Sequence, residues 1–182
     1  CRNIDIIRNG ISIERFNRLK KNSNYNNNNV KQKKITYAGN IGIAQELDII
    51  IDVIKDMKNY SLTLIGAGED YNRLNNYIVN NNISNVTMTG ILSWEELIQY
   101  YKESNYLYLP LGEAFRSAVP SKIYEYISAS KILILGVPNG PASDFADKFE
   151  GVLLVKPSDR TELKNILLGL KKAELIKNQK TQ

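Results

Sequence analysis

Histidine is absent from the 182-residue sequence. That absence excludes Ser-His-Asp triads, histidine metal sites and a histidine general base together. Cysteine occurs once, as Cys1, so no internal disulfide can form, and this usage suits a reducing compartment. With one Cys and no His, a zinc or iron centre would have to be all carboxylate, and no Asp-x-Asp cluster is present, so no metal is expected. No apolar run approaches the ~18 residues of a membrane-spanning helix. Residues Cys1 to Arg8 mix charges with isoleucines and lack an apolar core, so no signal peptide is read there. No internal repeat is evident.

What is present is moderate and mixed. Hydrophobic residues make up 43% of the chain, enough for the core of one domain of ordinary size. The formal net charge is +5, with Lys and Arg scattered. Two mild clusters, Lys20 to Lys34 and Lys171 to Lys180, read as a solvated loop and a fraying terminal helix. The competing reading is attraction to an anionic membrane surface. No basic stripe interleaved with aromatics appears, so nucleic acid is not expected as a partner.

Residues 1–19 read as a short strand, Ile4–Arg8, a turn at Asn9-Gly10 and an amphipathic piece ending at Phe16. An Asn-rich polar loop follows, so residues 1–33 form a lead-in segment, 34–177 the main domain and 178–182 a tail. From residue 34, short apolar strands alternate with helical stretches. Strands are expected at Lys34–Ala38, Ser61–Ile65, Asn85–Thr89, Tyr106–Leu109, Ile132–Leu135 and Val152–Val155. Helices are expected at 44–58, 69–81, 93–103, 120–130, 142–148 and 159–177. Leu47, Ile50, Ile51 and Ile54 share one helical face, as do Trp94, Leu97, Ile98 and Tyr101. Ser93 followed by Glu96 is a capping box. The alternation predicts an α/β fold, a doubly wound, mostly parallel sheet of about six strands covered on both sides.

In such a sheet, ligands bind beyond the C-terminal strand ends, near the topological switch point. Gly39-Asn40-Ile41-Gly42 follows the first core strand and suits a turn whose amides approach a phosphate, or simply a βα turn. Gly66-Ala67-Gly68 follows the second strand. Gly90-Ile91-Leu92 follows the third and offers an apolar wall for a base, or packing beneath the next helix. The segment after the fourth strand is richest. Pro120 suits the first helical position, which would put Ser121 and Lys122 in the first turn, where backbone N–H groups favour a phosphate. Lys122 and Glu125 are three apart and share a face, set up either for a phosphate and a ribose diol or as a surface ion pair.

In order and spacing, Asn9-Gly10-Ile11 and Phe16, Tyr37 to Gly42 with Gln45, Ile65 to Gly68, Val86 with Gly90, and Pro120-Ser121-Lys122 with Glu125-Tyr126 resemble the C-terminal domain of family-4 GT-B retaining glycosyltransferases. The similarity is greatest to the bacterial branch that builds O-antigen and capsule polysaccharides. It covers nearly the whole chain.

The resemblance implies a nucleotide-sugar donor site, with a UDP-sugar favoured and no cofactor. It implies that Glu125 holds the ribose hydroxyls and that Ser121 and Lys122 face the diphosphate. Gly39, Asn40 and Gly42 would close on the donor, and Gly66 and Ile91 would line the base. The catalytic residues stay unknown, with Lys122 and Arg116 as candidate cations for the leaving group. Two departures stand out. Ser117 occupies the place of the family's first acid, and Asn40 and Gln45 stand where many members carry a basic pair. The resemblance further implies a missing N-terminal acceptor-binding domain. It also implies a cytoplasmic location, with peripheral contact at the inner face of the membrane through the full-length protein. Two other readings are a non-catalytic nucleotide-binding α/β module and half of a GT-B epimerase or phosphorylase. Glu125→Ala is expected to weaken nucleotide binding with little change in melting temperature.

Overall fold

A computed structural model describes residues 10–20 and 32–179, with side chains through residue 170. The expected strand Ile4–Arg8, Asn9 of the turn, most of the Asn-rich loop (21–31) and residues 180–182 of the expected tail 178–182 lie outside the described residues. The first element is α1 (Ile13–Lys20), which runs a full turn beyond Phe16. Then come β1 (Lys33–Ala38), α2 (Leu47–Ile54), β2 (Tyr60–Ile65), α3 (Tyr71–Asn80) and β3 (Val86–Gly90). The second half is α4 (Trp94–Glu103), β4 (Tyr106–Pro110), α5 (Lys122–Ser128), β5 (Ile132–Gly136), α6 (Pro141–Ala146), β6 (Val152–Val155) and α7 (Arg160–Gln179).

Six strands form one all-parallel sheet in the order β3-β2-β1-β4-β5-β6. The order reverses between β1 and β4, which is the switch point. On one face, Ile35, Tyr37, Leu62 and Leu64 pack beneath α2, α3 and α7. On the other, Leu107, Leu109, Leu133 and Leu135 pack beneath α4, α5 and α6, joined by Leu19 of α1.

Two expectations need correction. The first concerns α2, which is shorter than 44–58. Ile43–Gln45 form a 3-10 turn, and Glu46 takes a left-handed conformation (φ 44°) that resets the chain before Leu47. The second concerns coverage of the sheet. Ser61, Thr63 and Thr87 point away from the core of β2 and β3, and Thr87 is exposed. With Lys34, Thr36, Tyr100 and Glu103 they line an open groove of about 260 Å³. Crossing from β3 to β4 puts α4 over β1, so that side of β2 and β3 is covered at its C-terminal end, where Ile65 joins the second core, and stays open over Ser61, Thr63 and Thr87. The alternation Tyr60-Ser61-Leu62-Thr63-Leu64 is the pattern of a strand buried on one side.

Candidate functional site at the switch point

The site begins where β1 and β4 part. They pair only at Ile35–Tyr106 and Thr36–Leu107, so the end of β1 loses its neighbour on that side. The freed backbone of Ala38 is satisfied by Tyr126 of α5. The Ala38 N–H donates to the Tyr126 hydroxyl at 2.6 Å, and that hydroxyl approaches the Ala38 carbonyl at 3.1 Å. One tyrosine therefore pins α5 over the crevice.

The neighbouring residue, Glu125, is buried (8% exposed). Its Oε1 accepts from the Tyr101 hydroxyl at 2.5 Å and from Lys122 Nζ at 2.7 Å. Tyr101 in turn meets Tyr126 edge-on, with ring centroids 5.6 Å apart. Burial holds both phenols well above their ordinary pKa, so they stay neutral hydroxyls at neutral pH. Oε2 of Glu125 takes no hydrogen bond from the described residues. Nor is it one of the fully buried unpartnered atoms among them. It is an acceptor left open.

Glu125 and Lys122 line a cleft of about 430 Å³, together with Ser121, Gly10, Ile11, Ser12 and Arg15. The cleft thus lies between the start of α5 and the start of α1. Local helix geometry differs slightly from expectation. Ser121 is the N-cap and Lys122 the first helical residue, so Pro120 stands one place before the cap rather than at the first helical position. Its carbonyl accepts the Ile123 N–H at 3.0 Å, which starts α5 with a tight turn.

The other residues singled out from the sequence gather at the strand ends, and none of Gly39, Asn40, Gly42, Gly66 and Ile91 lines this cleft. They are tied to one another. Gly39 N–H bonds Ile65 O, Ile41 N–H bonds Ala67 O, and Gly66 N–H bonds Gly90 O, at 2.8–2.9 Å. Gly66 has φ +135°, and a Cβ there would collide with the Gly39 carbonyl, so only glycine lets these loops approach so closely. Gly42 N–H is held by Gln45 Oε1 at 3.1 Å, and Asn40 is exposed. Ile91 is 80% exposed, so it does not pack beneath α4. Arg116 does not line the cleft. Its guanidinium pairs with Glu113 in the exposed β4–α5 segment.

Three features escaped the sequence. Arg15 lines the cleft although α1 reads only as a lead-in segment. Tyr101 reads as one member of a helical face, with no sign that its hydroxyl reaches Glu125. The burial of Glu125 also overturns the expectation for Glu125→Ala. Removing the carboxylate strips Tyr101 of its acceptor and Lys122 of its partner, so stability must fall along with any binding.

Comparison with known proteins agrees with this architecture. The family model for glycosyl transferases group 1 matches residues 19–181. An uncharacterized glycosyltransferase of Methanocaldococcus jannaschii is 30% identical over 134 residues, covering 73% of this chain and 35% of that protein. The chain thus spans about a third of that relative's length. HepE of Anabaena, solved with UDP and glucose, superposes with TM-score 0.62 at 15% identity, over 88% of this chain and 43% of that one. The catalytic domain of a cholesterol-alpha-glucosyltransferase from Helicobacter pylori gives TM-score 0.59 at 18% identity, over 78% and 89%. At these identities the structural matches speak for the fold, which is the Rossmann-like α/β fold expected. The family match, spanning most of the sequence, carries the assignment: this chain belongs to the glycosyl transferases group 1 family.

Proposed function

We propose that the chain is the donor-binding half of a glycosyltransferase. It takes a sugar from a nucleoside-diphosphate sugar and delivers it to a glycan or lipid-linked acceptor, with retention, in cell-envelope polysaccharide synthesis. The observation that carries the reading is Glu125: a buried carboxylate at the switch point, with one oxygen fixed by Tyr101 and Lys122 and the other open. An oriented acceptor of this kind suits the hydroxyls of a ribose. Lys122 stands beside it as a cation for the diphosphate. UDP is the first nucleotide to test, because HepE was solved with it.

In the proposed reaction the bond between the anomeric carbon and the diphosphate oxygen breaks with its electron pair going to that oxygen, the acceptor hydroxyl oxygen bonds the same face of the anomeric carbon, and the hydroxyl proton passes to the departing diphosphate. Lys122 meets the charge that grows there, without a metal. Glu125 fixes the nucleoside so that the sugar is presented in one pose. A second domain outside this sequence would bring the acceptor and close the site to water. Ser117 leaves the contacts to the sugar itself unassigned. Location at the inner face of the cytoplasmic membrane, through the full-length protein, belongs to the same proposal. No helix among the described residues is long and apolar enough to cross a membrane.

Calorimetry with UDP, GDP and ADP at millimolar concentration tests the site, and binding of none of them would sink the proposal. Glu125→Gln keeps an oxygen for Tyr101 while removing the charge. It should weaken nucleotide binding by about tenfold. Unchanged affinity would assign Glu125 to the fold alone.

A further inference from the structure

Five arginines lie among the described residues, and four have carboxylate partners. Arg18 pairs with Glu95 at 3.1 Å, Arg73 with Asp70 at 2.5 Å, Arg160 with Asp52 at 2.9 Å, and Arg116 with Glu113. Arg15 has no carboxylate partner among the described residues. It is also the arginine that lines the cleft with Lys122 and Glu125.

Its placement is held from below. The guanidinium carbon sits 4.7 Å from the centroid of the Trp94 ring. Trp94 opens α4 directly after the β3 end. The Arg18–Glu95 pair fastens the next turn of α1 to the same start of α4. Buried Leu19 anchors α1 in the core. A guanidinium held over an aromatic ring by cation–π attraction still has N–H groups to offer. Arg15 and Lys122 are the two cations of the cleft, and Glu125 is its single carboxylate. Lys122 already serves Glu125 at 2.7 Å, which leaves Arg15 as the uncommitted charge. A planar fork of donors without a carboxylate partner among the described residues, on the wall of an open cleft, fits an anion with paired oxygens.

We infer that Arg15 binds the diphosphate of the donor, acting across the cleft from Lys122, so that helix α1 is part of the donor site. This rests on the donor-site reading of the cleft. It adds a contact from an element that precedes the sheet in the chain. With Arg15 engaged, the ligand bridges α1 and α5, two elements that already touch.

The test compares a nucleoside diphosphate with its nucleoside. UDP and uridine are titrated into the wild-type chain, Arg15→Gln and Arg15→Lys by calorimetry and ligand-observed NMR, with UMP as the comparator where uridine falls below detection. Arg15→Gln should weaken UDP by roughly tenfold to a hundredfold and leave uridine within about twofold. Arg15→Lys keeps the charge and the stem over Trp94 but loses the fork, and should fall between. It also serves as the folded control if the Gln variant melts early. Wild-type affinity for UDP in Arg15→Gln would overturn the inference while leaving the donor site standing. An equal loss for UDP and uridine would overturn it too, since it would place Arg15 against the nucleoside or the fold. Failure of the wild-type chain to bind UDP, GDP, ADP or their nucleosides would remove the donor site itself, and this inference with it.

Discussion

Tyr126 shows how much one side chain does at the switch point. Splaying β1 from β4 leaves the Ala38 N–H without a strand partner, and the Tyr126 hydroxyl takes it at 2.6 Å. Tyr126→Phe removes only that hydroxyl. A buried donor is then left unmade, at a cost of about 1–3 kcal/mol. Chemical denaturation should show that loss. A change below about 0.5 kcal/mol would mean that the backbone finds another partner. The identity of residue 126 was legible as part of the Pro-Ser-Lys segment, but its task was not. The bond links residues 88 positions apart, and no local pattern encodes such a partner. Glu125 is similar. The spacing Lys122–Glu125 reads correctly as a pair on one face, and the pair forms at 2.7 Å. That the face turns inward onto Tyr101 is a result of packing alone.

At the scale of elements, α4 was the most legible. Its apolar residues recur at helical spacing, and Leu97, Ile98 and Tyr101 are buried as that spacing requires. Its start follows the capping-box pattern. Ser93 Oγ accepts the Glu96 N–H at 3.3 Å, and Glu96 returns a bond to the Ser93 N–H at 2.8 Å. Ser93→Ala should therefore cost about 1 kcal/mol, read as a shifted denaturation midpoint with unchanged slope. An unaltered midpoint would show that Trp94 packing holds this end without the cap. Legibility was poorer for α2 and α5, whose starts involve a left-handed residue and a tight first turn. Apolar periodicity reports which face is buried. It says little about where the backbone leaves helical geometry, because that depends on the loops each end must meet.

The absence of histidine has its consequence for the whole molecule. Hydrogen bonds from Ser93 hold the Glu96 carboxyl below its usual pKa, and bonds from Lys34 and Gln99 do the same for Glu103. Burial pushes Asp52 up, but bonds from Tyr77 and Lys55 and the charges of Lys55 and Arg160 outweigh it, so Asp52 is also held low. Each folded value lies below the unfolded one. Their stabilisation is therefore complete above the ordinary carboxylate range and is lost as pH falls through the lowered values. No side chain with an ordinary pKa between about 5.5 and 7 is present. Urea midpoints should be level between about pH 5.5 and 7 and decline below about pH 4. A step near pH 6.5 would contradict this picture.

Residue type and short-range spacing were enough to set the order of strands and helices, the apolar faces, the α/β class and the lack of histidine chemistry on this chain. An element's own period sets which side chains share a face. Packing in three dimensions set the rest: the groove left open over Ser61, Thr63 and Thr87, the burial of Glu125 with one oxygen free, and the reach of Arg15 to the same cleft as Lys122. Those outcomes depend on crossovers that carry α4 over β1 and bring α1 against α5. The contacts join elements distant in the chain, and their geometry is set by how whole faces pack.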